Sequence, residues 1–343
     1  MFRNIFNALF TDIGDFGNFL SATQAFNAGN EFYGRGEYQG ALEAYDKAIR
    51  LKPEDNKFCA KAYNNKGNAL IALSRYGDAL LSYDEAIRIK PDFADAYVNK
   101  GIALYNLSRY EEALPFYDEA ISIKPEDNEF CARAYYNKGN ALSNLSRYTD
   151  ALLSYDEAIR LKQDYASAYY SKGLALSNLA RYEDALLFYD EAIRLDPNDA
   201  EAHNNKGNAL LTLSRYKEAL PSYDEAIRLK PDLAEAYNNK GITLGNLSKY
   251  TESLLFYGEA IRRKPEDNEF CASAYVNKGH ALDNLSKYED AIASFNEAIR
   301  LNDKLILAYL GKAKTLQKTI EDDRLLSTKT SFSSFSKKTK ITK

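Results

Sequence analysis

Apolar residues recur through most of this chain at a helical spacing. Around Gly101 the sequence runs Tyr97, Gly101, Leu104, then Ala113, Tyr117, Ala120, each set separated by four and then three residues. Such spacing lines side chains up on one stripe of a helix, so two amphipathic helices are predicted here, joined at Leu107-Ser108-Arg109. Lys-Pro closes the second helix, because proline lacks the N–H and clashes with the preceding turn. The pair stands at Lys52-Pro53, Lys90-Pro91, Lys124-Pro125, Lys230-Pro231 and Lys264-Pro265. In the joint, Ser108/Glu111 and Ser286/Glu289 have the spacing of a capping box, which predicts serine as the N-cap of the second helix. Two helices and two breaks leave no room for a strand.

The unit repeats. Glycines at Gly29, Gly67, Gly101, Gly139, Gly173, Gly207, Gly241 and Gly279 are separated by 38, 34, 38, 34, 34, 34 and 38 residues, a period of 34 with three four-residue insertions. With this glycine as residue 8 of each repeat, the third repeat has Tyr97 at position 4, Leu104 at 11, Ala113 at 20, Tyr117 at 24, Ala120 at 27 and Pro125 at 32. On these residues the chain resembles the tetratricopeptide repeat family from Ala22 to about Leu316, eight full repeats and one half. The departures are leucine at position 11, lysine at position 7, Gln163 and Asp303 for proline, His203 for tyrosine and Ser253 for alanine. The resemblance implies an all-α fold, a right-handed superhelical solenoid of antiparallel helix pairs over residues 22–324. Tyr309 to Leu316 reads as a terminal helix covering the end of the stack, which solenoids need for solubility. Residues 325–343 are Ser/Thr/Lys-rich, a composition that predicts a disordered tail.

Residues 1–21 read as an N-terminal helical cap. The phenylalanines of Phe2 to Leu20 also suit a helix lying on a membrane surface, but few Lys or Arg accompany them. Each insertion, predicted to lengthen a first helix by about one turn, ends in Phe-Cys: Phe58-Cys59, Phe130-Cys131 and Phe270-Cys271. Lying two and four repeats apart, these cysteines are too distant for a disulfide and read as small apolar fillers. Pro115 and Pro221 fall inside second helices, where a kink is expected.

Charge and chemistry narrow the function. With 45 basic and 49 acidic residues spread evenly, net −4, there is no concentrated positive face for nucleic acid. No apolar run is long enough to span a bilayer, and an odd number of cysteines fits a reducing compartment, so a cytoplasmic location without membrane insertion is expected. The only histidines are His203 and His280, two repeats apart. With no phosphate-binding glycine loop and no Cys/His cluster, neither enzyme activity nor a cofactor or metal is expected.

Asparagine stands out on the first helices. Position 6 is Asn27, Asn65, Asn99, Asn137, Asn205, Asn239 and Asn277, interrupted by Ser171; position 9 adds Asn30, Asn68, Asn140 and Asn208, and position 13 adds Asn106, Asn144, Asn178, Asn246 and Asn284. The resemblance implies that these positions line a concave groove, where in some family members an asparagine ladder holds an extended peptide. An amide both donates and accepts, as a peptide backbone does. Asparagine is also common there across the family, so ancestry alone would leave the same rows. Tyr136 and Tyr170 at position 5 would supply side-chain contacts. Some family members seize a C-terminal carboxylate with a clamp of lysine, arginine and asparagine; Asn68, Asn99 and Arg133 match it, but Asn64 and Asn137 replace two of its cations. The expected function is a protein-interaction adaptor binding a peptide or protein segment. The alternative is a scaffold that self-assembles, or nucleates a complex, through its ends or convex face.

Overall fold

The computed structural model of the chain describes residues 21–51 and 55–338. The N-terminal cap or membrane-surface helix expected over the first twenty residues lies outside this range, as does Lys52-Pro53. The chain divides into two compact units, Met1–Ala180 and Arg181–Lys343. In the first, α1 is described over residues 21–34 and is followed by α2 (Tyr38–Leu51), α3 (Asn56–Ala72), α4 (Tyr76–Ile89), α5 (Ala94–Asn106), α6 (Tyr110–Ile123), α7 (Asn128–Asn144), α8 (Tyr148–Leu161) and α9 (Ala166–Asn178). The second contains α10 (Tyr182–Leu195), α11 (Ala200–Thr212), α12 (Tyr216–Leu229), α13 (Ala234–Asn246), α14 (Tyr250–Arg263), α15 (Asn268–Asn284), α16 (Tyr288–Leu301) and α17 (Ile306–Lys338). No strand occurs among the described residues. Within each unit a helix packs on the next, and first helices of successive repeats also touch, as α3 does α5 and α13 does α15.

The joint between the paired helices differs from the expected capping box. Ser108 and Ser286 have φ of 59° and 56°, in the left-handed region, and the N-caps of α6 and α16 are Arg109 and Lys287, with no side-chain cap bond. The Ser108 N–H bonds the Tyr105 carbonyl at 2.9 Å and the Arg109 N–H bonds the Leu104 carbonyl at 2.9 Å. Serine therefore closes the first helix in a Schellman motif and does not open the second. Three residues must reverse the chain, and a left-handed residue does this where an extended N-cap would be too long. Ser74, Ser146, Ala180, Ser214 and Ser248 share the conformation, with Gly36 in the first repeat. The cation that follows pairs with an acidic side chain of the second helix's first turn: the Arg109 guanidinium with Glu112 and that of Arg215 with Glu218.

Side-chain caps occur at the insertions instead. Asp55, Asp127 and Asp267 accept from the backbone N–H of Phe58, Phe130 and Phe270, and the helices that follow are 17 residues long against 13 for α5, α9, α11 and α13. The added turn ends in the buried Cys59, Cys131 and Cys271. The Cys131 and Cys271 thiols donate to the Lys124 and Lys264 carbonyls at 3.1 and 3.2 Å, and burial raises both thiol pKa values. These are filler positions. Helices α6 and α12 run through Pro115 and Pro221, which replace residues as exposed as Leu81, Leu153, Leu187 and Leu255.

The core of each repeat is a ring against a glycine. Tyr83, Tyr117, Tyr155, Tyr223 and Tyr257 at position 24 are buried with their edges on the position-8 glycine; a Cβ on Gly67 would lie 2.4 Å from Tyr83 Cε1. Phe295 is gripped from both sides, by Gly279 and by Gly311 of α17. The position-7 lysine ties repeats together by pairing with the position-25 aspartate of the preceding one. Lys66 meets Asp46 at 2.7 Å, Lys100 meets Asp84 at 2.5 Å and Lys138 meets Asp118 at 2.5 Å; Lys172–Asp156 and Lys240–Asp224 follow the same rule. The Lys100 and Lys240 ammonium groups also lie 4.1 Å from the ring centroids of Phe116 and Phe256, a favourable cation–π geometry.

Helix α17 does pack on the end of the stack, through Ala308, Gly311 and Thr315, yet Ile306, Leu307, Tyr309 and Leu310 remain exposed. It continues to Lys338, through residues 325–338 where composition predicted a disordered tail. A nucleated helix adds one bond for each residue fixed, so docking its first turns favours extension.

Candidate functional site

The first-helix asparagines are placed by bonds between repeats. Asn65 Nδ2 donates to Asn30 Oδ1 at 3.0 Å, Asn99 Nδ2 to Asn64 Oδ1 at 3.0 Å, Asn239 Nδ2 to Asn208 Oδ1 at 2.8 Å and Asn277 Nδ2 to Asn238 Oδ1 at 3.3 Å. Each position-6 amide thus reaches back to position 9 or 5 of the repeat before it. The third repeat carries Val98 and Ile102 at those positions, and Asn137 in the fourth has no partner among the described residues. Asn27 is exposed, while Asn65, Asn99, Asn137, Asn205, Asn239 and Asn277 are half-buried.

Position 9 serves the core. The hydroxyls of Tyr45, Tyr83, Tyr155 and Tyr223 donate to Oδ1 of Asn30, Asn68, Asn140 and Asn208 at 2.8, 2.8, 2.9 and 3.0 Å. Burial pushes the Tyr83, Tyr155 and Tyr223 phenols well above their ordinary pKa, so they act as neutral donors. Where position 9 is Ile102 or Ile242, the hydroxyls of Tyr117 and Tyr257 have no partner among the described residues, and where it is His280 the ring beneath is Phe295, edge-on at 5.2 Å. At position 13, Asn106 and Asn144 fold back onto the Ile102 and Asn140 carbonyls, and Asn144 also donates to the Tyr105 hydroxyl at 2.8 Å.

The other expected contact residues have neighbours within the chain. Tyr136 stacks in a tilted cluster with Tyr155 and Tyr165 at 6.2 and 5.0 Å, and Tyr170 is half-buried. Arg133 lies 3.7 Å from the Asp95 carboxylate and over the Phe130 ring, so the three clamp-like residues Asn68, Asn99 and Arg133 are each engaged in different local contacts. The asparagine–tyrosine and lysine–aspartate pairings were missed in the sequence. Their signal is an offset: asparagine fifteen residues before a position-24 tyrosine, and lysine sixteen residues after a position-25 aspartate, or twenty across an insertion, a pattern broken where Gly258 replaces aspartate.

In the second unit a cleft of about 280 Å³ opens between α13, α14 and α15, lined by Ile242, Gly245, Tyr250, Tyr257, His280 and Asn284 among others. His280 is exposed overall, but partial desolvation of its ring lowers its pKa. Among the described residues no group of His, Cys, Asp and Glu is arranged to hold a metal ion, and no helix is long and apolar enough to cross a membrane.

Stacked helix pairs with glycine-seated rings define a helical-repeat interaction protein. Tetratricopeptide repeat models match residues 26–92, 64–128, 136–200, 170–234, 204–268 and 272–305, more than half of the chain, and the protein belongs to the tetratricopeptide repeat family. The chain is similar in structure to the C-terminal part of a tetratricopeptide protein from Cytophaga hutchinsonii, with TM-score 0.58 and 15% identity over 71% of this chain and 97% of that one. It is similar also to a chain of an APC/C hetero-tetramer (TM-score 0.57, 15% identity, 81% of this chain and 52% of that one) and to pilF of Pseudomonas aeruginosa (0.55, 20%, 64% and 96%). At these identities the likeness is one of fold. Among curated proteins none matches the chain. A fold of this family supports a protein-interaction adaptor role.

Proposed function

We propose that the protein is a non-catalytic adaptor that holds an extended peptide segment along its first-helix asparagines. The observation that carries this reading is the anchoring of position 6. In Asn99, Asn239 and Asn277 the Nδ2 group is tied to the preceding repeat, while Oδ1 accepts no bond from the described residues. A fixed amide offering a free acceptor is preorganised for a backbone N–H, and side-chain ordering need not be repeated on binding. Asn137, with neither group engaged among the described residues, offers both.

The test selects peptides from a random library on the immobilised full-length chain and measures them against Asn137→Ala and Asn99→Ala/Asn239→Ala proteins. Asn137→Ala is expected to weaken binding while leaving the melting temperature unchanged, since it breaks no internal bond. Undiminished affinity in both proteins would rule the ladder out.

A scaffold reading has one observation in its favour, the exposed Ile306, Leu307, Tyr309 and Leu310 on the terminal helix. Contiguous exposed apolar side chains commonly mark contact surfaces. Under that reading, light scattering shows concentration-dependent mass that Leu307→Lys/Leu310→Lys removes; a monomer at all concentrations excludes it.

A further inference from the structure

Position 12 lies near the end of each first helix. It is tyrosine in the first and third repeats, Tyr33 and Tyr105, and glycine in the seventh, Gly245. Tyr33 stands edge-on to Tyr38 with centroids 5.3 Å apart, and Tyr105 stands edge-on to Tyr110 at 5.1 Å. The Tyr105 hydroxyl also accepts from Asn144 of the following repeat at 2.8 Å. In the seventh repeat the equivalent partners are both present: Tyr250 corresponds to Tyr110 and Asn284 to Asn144, and both line the cleft beside Gly245. Only the ring between them is absent. A Cβ on Gly245 would meet the Tyr257 hydroxyl alone, at an ordinary 3.5 Å, so no close approach of the chain requires glycine there.

We propose that this cleft takes the neutral phenol side chain of a tyrosine in a bound peptide, seated as Tyr105 is seated in its own repeat. The ring lies edge-on to Tyr250 against Ile242, and its hydroxyl meets the Asn284 amide. That amide donates one N–H to the His280 carbonyl at 2.8 Å and keeps its second for a ligand. The space of about 280 Å³ is ample, since a cavity of ~150 Å³ admits a benzene ring. The Tyr257 hydroxyl has no partner among the described residues and is available to the peptide's main chain. No Lys or Arg lines the cleft, which suits an uncharged phenol over a phosphorylated one. The inference rests on the adaptor reading and gives it a side-chain preference.

The test titrates the full-length protein with N-acetyl-L-tyrosinamide and follows the imidazole NMR signals of its two histidines. A saturable shift at His280 is expected, with none at His203, whose ring bonds the Pro197 carbonyl away from the cleft. N-acetyl-L-phenylalaninamide should bind about fivefold more weakly, the worth of one net hydrogen bond. Asn284→Ala should erase that difference, and Gly245→Tyr, which rebuilds the internal ring, should abolish the shift. Absence of a saturable His280 shift in the unaltered protein overturns the proposal. Undiminished binding by Gly245→Tyr protein that retains its helical circular dichroism does so as well. Asn99→Ala and Asn137→Ala lie in the other unit and leave this titration untouched, so failure of the ladder and failure of the cleft are read separately.

Discussion

The fourth repeat (residues 132–165) and the seventh (234–267) seat the same ring on the same glycine and differ in what becomes of its hydroxyl. Tyr155 donates to Asn140, whereas the Tyr257 hydroxyl has no partner among the described residues and faces a cleft shared with Ile242. The difference extends to the joints: Lys138 pairs with Asp118, but Lys278 in the repeat after the seventh finds Gly258 where the others have aspartate, and lies 5.9 Å from the Tyr275 ring instead. Packing is therefore constant while polar chemistry changes from repeat to repeat. In a solenoid each unit touches only its neighbours, so one junction can be altered without disturbing the rest.

The largest effects should be alike in the two repeats. Gly139→Ala and Gly241→Ala place a Cβ 2.6 and 2.7 Å from the tyrosine Cε1, and each should cost about 2 kcal/mol by overpacking. Urea unfolding checks this, and a large cost in one repeat alone breaks the claim of equal packing. The hydroxyls should then separate them. Tyr155→Phe strands the Asn140 acceptor and should cost about 1 kcal/mol, while Tyr257→Phe removes no bond and should stay within about 0.5 kcal/mol of the parent. Equal losses would show that Tyr257 has a partner after all.

Smaller effects follow at the joints. Lys138→Met should cost about 0.5 kcal/mol, diminished by salt because Asp118 is more than half exposed, and Lys278→Met should be neutral. Melting at low and high ionic strength distinguishes them. The smallest effect is at His280, which is exposed overall but whose partly desolvated ring has a lowered pKa. The unfolded chain then binds the proton more readily, so stability is complete above about pH 6.5, the unfolded value, and declines as pH falls toward the folded pKa. A shallow acid-side fall in melting temperature is expected, and His280→Asn should remove it; a fall that persists in the variant assigns it to other groups.

Much of the fold was legible because it is local. The alternation of glycine, alanine and aromatic residues located every helix pair, and the inserted Asn-x-Phe-Cys segments announced one extra turn. Ser108 and Ser286 misled because serine with glutamate three residues on is a true capping signal when the chain has room to extend; here the short reversal demanded a left-handed residue. The tail past residue 325 was read from composition, which does not register a helix already nucleated against α16. Among the candidate site residues, Asn140 and Asn208 proved to be core ligands of tyrosine as much as surface groups, and Arg133 was drawn to Asp95.

The sequence alone determined the register: which residues share a helical stripe, where each helix ends and how many units stack, because these depend on spacings within a few turns. Only the tertiary structure decided which polar atoms are paired between repeats and which have no partner among the described residues. Asn99 is anchored by Asn64, thirty-five residues away, and Asn137 has no anchor among the described residues, because the aliphatic Val98 and Ile102 stand where acceptors would be. Hydrogen bonds between repeats depend on how neighbouring helices meet, and one residue in an otherwise repeated pattern redirects them.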